Sequence, residues 1–78
     1  MTIKELASKH GVVSKEFHEG SVIFKANGYE MYIERTSFGY ILQVYLNEGT
    51  TYRFDTIEEL EEAVIQTKEG HRNGTKDN

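Results

Sequence analysis

The sequence predicts an α+β domain in which a four-stranded antiparallel β-meander packs one face against a short N-terminal helix and a C-terminal helix, in the order α-β-β-β-β-α. Three observations predict it. Helix-start patterns stand near both ends, apolar residues alternate with period two between Ser21 and Phe54, and three turn signals cut that stretch into strand-sized segments.

Thr2 and Glu5 have the spacing of a capping box, in which each side chain satisfies a backbone N–H that the start of a helix leaves unpaired. Ile3, Leu6, Ala7 and His10 then recur at helical spacing. Gly11 follows where a left-handed residue commonly ends a helix. Ser14 to Gly20 is polar and does not alternate cleanly, so a connector or irregular edge is expected there.

Asn27-Gly28 is a strong signal for a two-residue hairpin, because both residues tolerate positive φ. That turn pairs Phe24 with Met31 and Val22 with Ile33 on one face, and Lys25 with Glu30 and Ile23 with Tyr32 on the other. A loop over Thr36–Gly39 sets Arg35 opposite Tyr40, Ile33 opposite Leu42 and Met31 opposite Val44. A three-residue loop at Asn47–Gly49 pairs Leu46 with Thr50, Val44 with Tyr52 and Leu42 with Phe54. All three hairpins place Val22, Phe24, Met31, Ile33, Leu42, Val44, Tyr52 and Phe54 on one buried face. A slip of one residue in any of them would turn its apolar set outward.

Asp55 or Thr56 caps the second helix, with Glu58 or Glu59 completing the box, and Ile57, Leu60, Ala63, Val64 and Thr67 line its inner side. Glu58, Glu59, Glu61 and Glu62 crowd its first turns, where the helix dipole favours negative charge. Residues 1–68 read as one domain. Residues 69–78 are polar and aperiodic, as expected of a disordered tail.

The chain has 78 residues and no cysteine, which removes disulfide scaffolds, cysteine-ligated zinc and thiol catalysis. No apolar run approaches the roughly 20 residues needed to span a bilayer, and the start lacks the apolar core of a signal peptide, so a cytoplasmic location is expected. The net charge of −4 repels polyanions and disfavours nucleic acid as a partner.

Little in the sequence points to catalysis. His10 stands at a helix end, His18 in the connector and His71 in the tail, and the spacing of Glu16, His18 and Glu19 matches no metal-ligand motif. Ser8, Ser14, Ser21 and Ser37 show no base held beside them, and no glycine-rich phosphate loop occurs. Glu58 to Glu62 look uniformly exposed, whereas acid–base work requires carboxylates in unlike environments. No enzyme, metal or cofactor is expected.

The informative feature is the second sheet face, where Ile23, Tyr32, Ile41, Gln43, Tyr45 and Arg53 fall together. Tyrosine and arginine with apolar neighbours are the composition of interface hot spots. The expectation is a small non-enzymatic adaptor, regulator or inhibitor that binds another protein through this face. Glu58, Glu59 and Glu62 offer a second contact surface, whose partner would be basic. Small acidic domains of this build are familiar products of phages and other mobile elements. A homodimer through the sheet face, or through an edge strand at Ser21–Ala26, is the alternative.

The order of helix, antiparallel strands and helix is also similar to that of double-stranded RNA-binding domains. That resemblance covers most of the chain, as an order of elements only, and implies RNA binding. Those domains hold phosphates with a lysine cluster at the start of their last helix, where this sequence carries Glu58, Glu59, Glu61 and Glu62.

Overall fold

The computed structural model describes residues 1–18, 20–45 and 50–70. Helix α1 spans Ile3–His10, and five strands follow: β1 Val12–His18, β2 Ser21–Ala26, β3 Tyr29–Thr36, β4 Gly39–Val44 and β5 Thr51–Phe54. Helix α2, Ile57–Lys68, completes the α+β fold. The strands form one antiparallel sheet in chain order, so each pairs with its sequence neighbours.

Both helices start on reciprocal caps. Thr2 Oγ1 accepts from Glu5 N at 3.1 Å while Glu5 Oε1 accepts from Thr2 N at 2.8 Å. Thr56, the cap of α2, stands in the same relation to Glu59. Glu59 Oε1 also accepts from Asp55 N at 3.0 Å.

The core lies wholly on one side of the sheet. Val22, Phe24, Ala26, Met31, Ile33, Leu42 and Val44 meet Ile3, Leu6 and Ala7 of α1 and Leu60 and Val64 of α2. The registers of the first two predicted hairpins, now β2–β3 and β3–β4, hold residue for residue.

Four expectations are corrected. The sheet has five strands rather than four, because the segment expected as a connector is β1, paired with β2. Register shifts between Val13 and Lys15 and between Glu16 and His18 break its alternation, and so its strand signal. β1 also closes the edge proposed for dimerisation at Ser21–Ala26, since β2 pairs on both sides.

Gly11 is extended, at φ −167° and ψ −155°, instead of left-handed. A Cβ at that position would overlap the Lys25 carbonyl, so glycine is required by close approach. The β4–β5 register is two residues from expectation, pairing Tyr40 with Phe54 and Leu42 with Tyr52. An even shift preserves the face, yet on this short edge strand Tyr52 is 37% exposed and leaves the expected core. The turn expected at Asn47–Gly49 lies outside the described residues, as does the tail beyond Gly70.

Candidate functional site

With both helices on one face, the other face of the sheet has no helix over it among the described residues. Alternation along each strand places Ser21, Ile23 and Lys25 of β2, Glu30, Tyr32 and Glu34 of β3, Ile41 and Gln43 of β4, and Thr51 and Arg53 of β5 there. Tyr32 is central, flanked by Ile23 and Gln43 in one row. Beside it, Ser21, Glu34, Ile41 and Arg53 form the next row.

The predicted sheet-face residues therefore do come together. Ile23, Tyr32, Ile41 and Gln43 are half-buried, and Arg53 is exposed. Tyr45, immediately after β4, is 40% exposed.

β1 adds a residue the sequence did not reveal. Phe17 sits at the second register shift of β1, and its ring meets Tyr32 edge to face, with centroids 6.1 Å apart. Lys15 Nζ lies 5.0 Å from the Phe17 centroid, within reach of a cation–π attraction. Phe17 remains 48% exposed. The only available sequence signal was a large aromatic residue in a polar segment, since the irregularity that aims the ring also erased the alternation.

Hydrogen bonds hold the centre of the face in place. Tyr32 Oη donates to Glu34 Oε1 at 2.6 Å, which leaves Ser21 Oγ, at 2.9 Å, as the donor to Tyr32 Oη. Burial, followed by the hydrogen bond to the Glu34 carboxylate, raises the Tyr32 pKa above its ordinary value. Tyr32 is thus a neutral donor whose hydroxyl is held by two hydrogen bonds.

The acidic candidates on α2 are less uniform than expected. Glu58, Glu59 and Glu62 are exposed, but Glu59 is engaged in the α2 cap and Glu62 Oε2 accepts from Gln66 Nε2 at 3.1 Å. Glu61 is half-buried, and Oε2 is 2.7 Å from His10 Nε2 and 2.9 Å from Lys9 Nζ. Those two contacts, His10 first, hold its carboxyl below its ordinary value. Arg53, Glu59 and Glu62, drawn from both candidate surfaces, line one open hollow of about 370 Å³ beside β5.

A second cavity of about 340 Å³ lies by the start of α1, with Lys4, Glu16, Arg35 and Tyr40 among its walls. Lys4 Nζ is 3.4 Å from Glu16 Oε1, which offsets one of its two side-chain cations. Among the described residues, no group of three or more histidine, aspartate or glutamate side chains is arranged to hold a metal ion. Nor is any helix there long and apolar enough to cross a membrane.

Comparison with protein-family models, with curated proteins and with solved structures finds no match to this chain.

Proposed function

We propose that this protein is a non-enzymatic binding module, an adaptor, regulator or inhibitor, that docks another protein on the helix-free face of its sheet. One observation carries the reading. Phe17, Ile23, Tyr32 and Ile41 form an apolar and aromatic centre, and Lys15, Lys25, Glu30, Glu34 and Arg53 surround it. An apolar centre within a polar rim is the anatomy of a protein interface, and anchors of this type supply most of the binding energy. A rim of both signs suits a protein surface better than a polyanion, whose binding scales with the phosphates neutralised.

Affinity capture from the source cells, with wild type compared with Phe17→Lys and Ile41→Lys, tests the reading. Each substitution sets a charge in the apolar centre without touching the core, so the captured protein should be lost while the fold persists. Capture unchanged by both variants would refute the docking face. If Glu58→Lys with Glu62→Lys abolished capture instead, the acidic surface of α2 would be the contact and its partner basic.

A homodimer is the second reading, favoured by the same uncovered face. Light scattering separates the two: a heterologous module gives the 9.0 kDa monomer at all concentrations, and a dimer gives twice that mass, reduced to the monomer by Ile41→Lys. RNA binding ranks below both, because α2 opens with glutamates where phosphate would have to lie.

A further inference from the structure

The contact between the ends of the two helices contains a protonation-dependent arrangement that the docking face does not use. The His10 side chain, on the last turn of α1, is only 7% exposed. Its two ring nitrogens meet opposite charges: Nε2 lies 2.7 Å from Glu61 Oε2, and Nδ1 lies 3.1 Å from Lys68 Nζ. A lysine ammonium has protons to give and no lone pair, and an ionised carboxylate can only accept. Both contacts are therefore satisfied by one state, a neutral imidazole that carries its proton on Nε2 and accepts from Lys68 on Nδ1.

We propose that His10 is a proton-operated latch between α1 and α2. Neutral, it ties down both Glu61 and Lys68. Protonated, it keeps Glu61 as an ion pair but turns an Nδ1–H toward the Lys68 ammonium, which must swing away and loosen the last turn of α2. Among the described residues, Glu61 and Lys68 are the charged groups that face the ring from α2, and Lys9, from its own helix, shares the Glu61 oxygen. The β2–β3 turn contributes only a neutral group, as Asn27 Nδ2 donates to the Lys68 carbonyl at 2.6 Å. That hydrogen bond restrains the Lys68 carbonyl, so the last turn loosens without unwinding. Imidazole is the side chain whose charge ordinarily changes between pH 5 and 8.

Nitrogen-15 NMR of the imidazole and amide hydrogen exchange of residues 65–70, both between pH 8 and pH 5.5, test the latch. At pH 8 the expected tautomer has Nε2–H with Nδ1 bare; an Nδ1–H tautomer would overturn the proposal. At pH 5.5, exchange at residues 65–70, corrected for its intrinsic pH dependence, should be roughly two- to fivefold faster, the size expected for loss of one partly exposed charged contact. Lys68→Met keeps the aliphatic stem, removes the ammonium and should abolish that pH response. A response that persists in Lys68→Met, or none in wild type, would contradict the mechanism.

Discussion

A side-chain carbon on Gly11 would collide with the Lys25 carbonyl, so α1 hands over to β1 at a point where the backbones approach more closely than any other residue permits. Gly11→Ala must push the end of α1 away from β2, and should cost about 1–3 kcal/mol, the range of overpacking effects, measured by urea denaturation. A loss below a few tenths of a kcal/mol would show that the backbone yields freely. The sequence marked this glycine as important but attached the wrong reason, because a left-handed helix end and a close backbone approach demand the same residue. Phe17 was missed for a related cause: its contact with Tyr32 depends on a register irregularity, which no periodicity displays.

At the scale of elements, caps and hairpins were legible because their determinants are local. Thr2 with Glu5, and Thr56 with Glu59, form the boxes their spacing announces, and Asn27, at φ 52°, opens the turn its dipeptide predicts. What joins the elements was less legible, since His10 and Glu61 lie 51 positions apart in sequence and meet only through packing. This contact makes stability depend on pH. Hydrogen bonds from His10 and Lys9 keep the Glu61 carboxyl below its ordinary value in the folded protein. The stabilisation is thus fully present above the ordinary carboxylate range and is lost as pH falls through the lowered value of the folded state. Glu61→Gln removes that ionisation, so thermal denaturation between pH 5 and pH 2 should give a shallower loss of stability than in wild type. Parallel curves would show that Glu61 titrates alike in the folded and unfolded chains.

At the scale of the molecule, a sheet that buries one face beneath two helices leaves its other face to water or to a partner. Strand parity made that division legible from the sequence, and even the two-residue displacement of β5 preserved it, because an even shift exchanges no faces. No partner was legible, because alternation records which residues are shared with the interior and carries no information about a second chain. The central claim is that the helix-free face docks another protein. Its most direct test is NMR of the uniformly carbon-13-labelled protein, following Phe17, Ile23, Tyr32 and Ile41 as the captured partner is added. The docking reading predicts shifts concentrated on those four side chains, with Leu60 and Val64 unmoved in the core. Shifts confined to Glu58 and Glu62, with the four sheet residues unchanged, would contradict it.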